Sequence, residues 1–166
     1  MTAYHTVFGS LKSYEKGTIE IINDNPKHYV FSNVFEVASK AKPYDKTAVA
    51  KNLEYVIEAI RAEGSSPWMA CSHDEFCVVL DGEVTVEYVK LDNPDTVAPG
   101  SENGTVLVKG EPKGKRMGTI KLKRGHQALL PKGAAYRFAA GRPSVMIQQT
   151  LKGALTLEKW SEICFH

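Results

Sequence analysis

The segment SPWMACSHDEFCVVLDGEVTVEY, Ser66 to Tyr88, decides how the fold is read. It holds an acidic residue, Glu75, an aromatic and aliphatic run, an Asp81–Gly82 pair and then a second run. In the second run Val84, Val86 and Tyr88 alternate with Thr85, Glu87 and Val89, a period of two that fits a strand with one buried face. Asp-Gly between two strand-like runs is a strong hairpin signal, because glycine adopts the positive φ that tight hairpin turns require. The segment has one histidine, His73.

Working outward, strand signals dominate. TIEIIND (18–24), HYVFSNVFEVAS (28–39), TIKL (119–122), HQALLP (126–131), AYRFAA (135–140) and SVMIQQTLK (144–152) are short and β-branched or aromatic, with Gly, Pro, Asn and Asp between them. KNLEYVIEAIRAEG (51–64) fits a helix with Val56, Ile57 and Ile60 on one face. It fits equally a strand with Leu53, Tyr55, Ile57 and Ala59 on one face, and periodicity leaves the two open. TLEKWSEICF (156–165) reads as a short helix or a last strand. Many short strands with turn punctuation predict an all-β barrel or sandwich.

The chain of 166 residues suits a single domain, residues 1–166, with an N-terminal arm of about 1–17 and a loop insertion of about 92–118. Tyr4, His5, Phe8 and Tyr14 suit an arm that packs on a surface, its own or another subunit's. The insertion is rich in Pro, Gly, Asn and Asp, and its TVLV (105–108) is a candidate extra strand. A net charge of +2 with scattered Lys and Arg argues against nucleic acid. No run of about 18 apolar residues predicts a membrane helix. Three irregularly spaced cysteines, Cys71, Cys77 and Cys164, argue against a disulfide framework and for the cytoplasm.

The two glycine-bearing clusters resemble the two motifs of the cupin superfamily. The first motif is G-x5-H-x-H-x3/4-E-x6-G. With Gly82 as its last glycine, Glu75 takes the glutamate position, and the histidine positions fall on Met69 and Cys71 or on Trp68 and Ala70. The second motif is G-x5-P-x-G-x2-H-x3-N. Gly125, Pro131 and Gly133 fit it, while Tyr136 stands at the metal-ligand position and Ala140 at the asparagine position. The resemblance implies a cupin fold, a double-stranded β-helix or jelly-roll barrel with few short helices. The turn residues are kept and three of the four ligand positions are changed. Non-haem iron needs imidazoles beside a carboxylate, and Glu75 alone does not supply them. Cys71 and His73 are the nearest substitutes, and His126 follows Gly125.

TAYHTVFGSLKSYEKGTIEIIND, NVFEVASKAKPY, KNLEYVIEAIRAEG, SPWMACSHDEF and DGEVTVEYVKLD together resemble the small subunit of two-component hydroquinone 1,2-dioxygenases. This resemblance makes KNLEYVIEAIRAEG a strand. It implies a chain without catalytic or metal-binding residues of its own, inactive alone. A larger cupin-type partner would hold Fe(II), in an assembly of two small and two large chains. The complex would open a hydroquinone-type aromatic to 4-hydroxymuconic semialdehyde, as in degradation of 4-nitrophenol. Trp68, His73, Glu75 and Tyr136 are the candidates for contact with substrate or partner. A stand-alone cupin holding a small aromatic inside its barrel, lined by Tyr136, Phe76, Phe138 and Met146, is the competing reading. A metalloenzyme built on Glu75 with unusual ligands is the third.

Overall fold

The computed structural model describes residues 9–15, 17–25 and 32–163. Ten strands follow a short helix: α1 (Val34–Lys40), β1 (Lys46–Asn52), β2 (Tyr55–Ser65), β3 (Met69–Cys71), β4 (Glu75–Asp81), β5 (Glu83–Leu91), α2 (Pro94–Val97), β6 (Thr105–Leu107), β7 (Gly114–Lys123), β8 (Gln127–Leu130), β9 (Ala134–Leu151), β10 (Thr156–Leu157) and α3 (Trp160–Ile163). His5 and His28, Cys164 and most of the aromatic residues of the N-terminal arm lie outside the described residues. Within residues 9–15, the Leu11 amide donates to Asp81 and the Tyr14 ring stacks on Phe35.

The long strand β9 organises everything else. Its first half pairs with β5 on one edge and with β3 on the other. Its second half pairs with β4 and β2. Between the halves, Ala62 opposes Ser144 and Gly64 opposes Ala140, so Gly141 to Pro143 form a bulge at which the sheet turns. One layer is therefore β6–β3–β9–β5–β7, and the other is β10–β1–β2–β9–β4–β8. The result is a sheet doubled over on itself, the jelly-roll arrangement expected from the two motifs. The sequence reads AYRFAA and SVMIQQTLK as two strands; they are two halves of one.

The Asp81–Gly82 pair does not make a hairpin. β4 and β5 never pair with each other; both run along the same edge of β9, with Asp81 opposite Val145 and Thr85 opposite Ala139. Gly82 is the corner where that edge passes from one layer to the other. It has φ +83°, and a Cβ there would lie 2.1 Å from Ser144 Oγ. The same chemistry that favours a hairpin turn, glycine at positive φ, serves a sheet corner, and only the partner strand tells the two apart.

Other expectations change as well. NVFEVAS is helical: Asn33 Oδ1 caps α1 by accepting from the Phe35 and Glu36 amides, and Lys40 pairs with Glu36 one turn back at 3.0 Å. TIEIIND carries no strand, and Ile22 is 72% exposed. KNLEYVIEAIRAEG is strand β2 after a turn at Leu53, but Val56, Glu58, Ile60 and Ala62 supply its buried alternation, and Tyr55 and Ile57 face outward. In the 92–118 stretch TVLV does supply a strand, β6 on β3, and β7 begins already at Gly114. The chain end holds both β10 and α3.

The main core lies between the layers, where Ile60, Cys77, Val79 and Met146 meet Val84, Val86, Leu122, Tyr136 and Phe138. A second cluster sits on the outer side of the first layer. There Val97, Ala98, Val106 and Val108 fasten the 92–108 stretch over Trp68, Ala70, Leu91 and Ala135.

Candidate functional site

The pleat of β3, β4 and β9 sends Met69, Cys71, Glu75 and Tyr136 inward, to the position where cupin motifs place metal ligands. Glu75 is 2% exposed and Tyr136 1%. The Tyr136 hydroxyl donates to Glu75 Oε2 at 2.5 Å. Thr150 and Thr105 donate to Glu75 Oε1 at 2.5 and 2.7 Å. Burial and the neighbouring Glu75 carboxylate push the Tyr136 hydroxyl well above its ordinary pKa, so it keeps its proton and remains a donor. A buried carboxylate is costly unless such donors replace water, and here they do.

The network continues inward from Tyr136. Gln148 Nε2 donates to the Tyr136 oxygen at 3.0 Å, and Lys46 Nζ donates to Gln148 Oε1 at 2.8 Å. Lys46 also pairs with Glu58 at 3.2 Å, with both side chains at most 3% exposed, and Thr156 donates to the other Glu58 oxygen. The residues that complete this chain, Lys46, Glu58, Thr105, Gln148 and Thr150, were not candidates from sequence. A signal was present: Glu58 falls between Val56 and Ile60, and Gln148 between Met146 and Thr150, at the inward positions of alternating strands.

His73 lies beside this cluster in the turn before β4. Its Nδ1 is 3.0 Å from Cys71 Sγ and its Nε2 3.2 Å from Thr150 Oγ1. Donor atoms of Cys71, His73 and Glu75 all lie within 4.8 Å of one another, the one such group of three among the described residues. Cys71 also donates to the Gly104 carbonyl at 3.1 Å. Burial first, then the Glu75 carboxylate, push the Cys71 thiol up to about 12, so it stays protonated at neutral pH.

Fe(II) does not fit the motif positions. Two of the four are a thioether and a protonated thiol, Tyr136 keeps its proton, and Glu75 already accepts three hydroxyls. Imidazole donors, which such iron takes, are missing from all four. His73 is the one imidazole nearby, and it is engaged by Cys71 and Thr150.

Trp68 is placed apart from the other three candidates. Met69 points inward, so Trp68 points outward into the second cluster, 8% exposed. Its indole N–H donates to Glu111 at 3.0 Å. The Arg137 guanidinium lies 4.6 Å over the ring and is anchored by Glu87 at 2.8 Å. Neither Arg137 nor Glu111 is among the candidates named from the sequence. His126 is exposed and accepts from the Lys123 amide at 3.2 Å, a turn role. Phe138 and Met146 are fully buried in the core between the layers, while Phe76 lies in a groove on the outer face.

No protein-family model and no curated protein sequence matches the chain. Solved structures do. A chain of hydroquinone 1,2-dioxygenase PnpCD, in complex with Cd2+ and 4-hydroxybenzonitrile, is 55% identical over 100% of this chain and 99% of its own, with TM-score 0.91. Hydroquinone 1,2-dioxygenase from Sphingomonas sp. TTNP3, with 4-hydroxybenzoate bound, has a chain 52% identical over 98% of both, with TM-score 0.93. A longer PnpCD chain, in complex with Fe3+, shares only the fold: TM-score 0.62 at 9% identity, over 86% of this chain and 38% of its own. Fold and motif register make this chain a cupin. At these identities and full coverage, it belongs to the family of hydroquinone 1,2-dioxygenase subunits and matches the shorter of the two PnpCD chains.

Proposed function

We propose that this chain is the small, non-metal subunit of a heteromeric Fe(II)-dependent ring-cleaving dioxygenase, working with a larger cupin-type chain that holds the iron. The observation that carries this is the plugged ligand position: Glu75 accepts hydroxyls from Tyr136, Thr105 and Thr150. A cupin with its carboxylate spent on internal donors depends on another chain for metal chemistry. The full-length likeness to hydroquinone 1,2-dioxygenase supports the reaction class, the opening of a hydroquinone by O2 to 4-hydroxymuconic semialdehyde. The iron of the larger chain supplies the oxygen activation. The small chain's part is to hold that partner and to help line its substrate site.

Within this reading Glu75 and Tyr136 keep the interior closed. His73, half-buried at the edge of the interior, and Trp68, held by Glu111 and Arg137, are the contacts to partner or substrate. An assembly of two small and two large chains in the cytoplasm completes the proposal.

The test is metal content and O2 uptake on hydroquinone, measured for the chain alone, the larger chain alone and the two co-expressed. Iron and uptake confined to preparations with the larger chain are expected. About one iron per chain in the small subunit alone, with uptake, would overturn the reading.

A further inference from the structure

We infer that the outer face of the second layer is the docking surface for the like-folded domain of the longer dioxygenase chain; this rests on the two-subunit reading above. Strand register puts Leu129, Phe76, Gln149, Ile57 and Ala50 in one row across β8, β4, β9, β2 and β1. Inward positions alternate with these, so the row faces outward. The next row holds Gln127, Val78 and Ile147 and ends at Ala59, which is buried, while Leu151 and Tyr55 flank the first row on the other side. None of these positions is charged.

The outward face of an antiparallel sheet ordinarily carries polar and charged side chains. Here Tyr55 is 61% exposed, Leu129 57% and Ile57 37%. Isolated exposed apolar residues need no explanation, but a contiguous, charge-free sheet face marks an interaction site. Charges begin only at its margin, with Glu54, Asp74 and Lys152. An apolar centre inside a charged rim is the composition of a protein interface. A groove of about 180 Å³ opens on the same face between Tyr55, Phe76, Leu129 and Gln149, with His73, Asp74, Glu75 and Thr150 along its edge.

The identity of the occupant follows from three relations. The longer PnpCD chain carries this same fold over 38% of its length, so it has a sheet of the same twist. Sheets of matching twist stack face to face with aligned strands, and a face without charge demands a neutral counterpart. The face also ends at His73, which shares the groove with Glu75 and Thr150, and a partner contributing the active site would adjoin it.

The experiment co-expresses the Ile57→Asp/Leu129→Asp double variant with the longer chain and measures the assembled fraction by size exclusion with light scattering. Leu107→Asp is the control: it is 51% exposed but lies on β6, in the other layer. Burying the two carboxylates should weaken assembly at least about tenfold, while the control assembles like wild type. Tyr55→Glu repeats the test at a side chain with little packing to lose, should the double variant misfold. Wild-type assembly by the folded face variants overturns the proposal. So does a wild-type homodimer that the substitutions dissolve while heteromeric assembly persists, which would make a second copy the occupant. Failure of the wild-type chain itself to join the longer chain would instead overturn the two-subunit reading, and this inference with it.

Discussion

The Tyr136 hydroxyl donates to Glu75 Oε2 across 2.5 Å, at the position where the cupin motifs would put a metal. Both residues are at most 2% exposed, so neither finds water as an alternative. Tyr136→Phe removes a donor from Glu75 and the acceptor of Gln148 Nε2. An unsatisfied buried polar group costs about 1–3 kcal/mol, which lowers Tm by roughly 4–8 °C if it costs about 2 kcal/mol in a chain of this size. Thermal unfolding of the isolated chain measures this. An unchanged midpoint would show that Thr105 and Thr150 suffice to satisfy Glu75.

Lys46 is the counter-ion of Glu58 and the donor to Gln148 in a region without solvent. Lys46→Met leaves Glu58 buried and unpaired, at a cost of about 3–5 kcal/mol. The Lys46→Met/Glu58→Leu pair should regain most of that loss, because the stranded charge is gone. Urea unfolding of the two single variants and the double variant forms the cycle. Additive losses would contradict a direct coupling.

Gly82→Ala meets two obstacles: a positive φ of +83° and Ser144 Oγ at 2.1 Å from the new Cβ. A cost on the order of 1–3 kcal/mol is expected from the backbone alone, with a steric cost added. Ser144→Gly in the same chain should relieve the steric part and leave the backbone part. If the double variant is no more stable than Gly82→Ala, the corner contact is not what excludes a side chain.

Alkaline pH should destabilise the chain. Burial raises Cys71, Cys77, Tyr44 and Tyr88 to about 12, from 9.0 for the thiols and 10.0 for the phenols. Above pH 9 the unfolded chain loses these protons first, so it binds fewer protons than the native state and stability falls as pH rises toward 12. Below pH 9 these groups leave stability unchanged. Urea midpoints at pH 8, 9.5 and 10.5 should decline in that order, and a thiol reagent at pH 8 should spare Cys71 and Cys77 in the folded chain.

In the assembled enzyme, Trp68→Ala and His73→Ala should each lower kcat/KM for hydroquinone by about tenfold or more, if they reach substrate or partner as proposed. Glu111→Gln keeps an acceptor for the indole N–H and should have a smaller effect. Steady-state O2 uptake with light scattering separates lost turnover from lost assembly. Full activity in an intact complex would return Trp68 to a purely structural role in the second cluster.

The sequence by itself determined the strands of Glu75 to Leu91 and the spacing of Glu75, Gly82, Gly125, Pro131 and Gly133, because alternation and turn chemistry are local properties of the chain. It also determined that no imidazole stands at the motif's ligand positions under either spacing, since that needs only a register; the fold is what turns Met69 and Cys71 inward and Trp68 outward. Only the tertiary structure decided that Gly82 turns a sheet corner and that β9 is continuous through Gly141 to Pro143. Both depend on which strand lies alongside, and strand pairing joins residues far apart in the chain. The same holds for the interior network, where Lys46 meets Gln148 across 102 residues and Glu75 meets Thr150 across 75. Local pattern marks such polar residues as inward-facing; only the folded sheet supplies the partners that make their burial affordable.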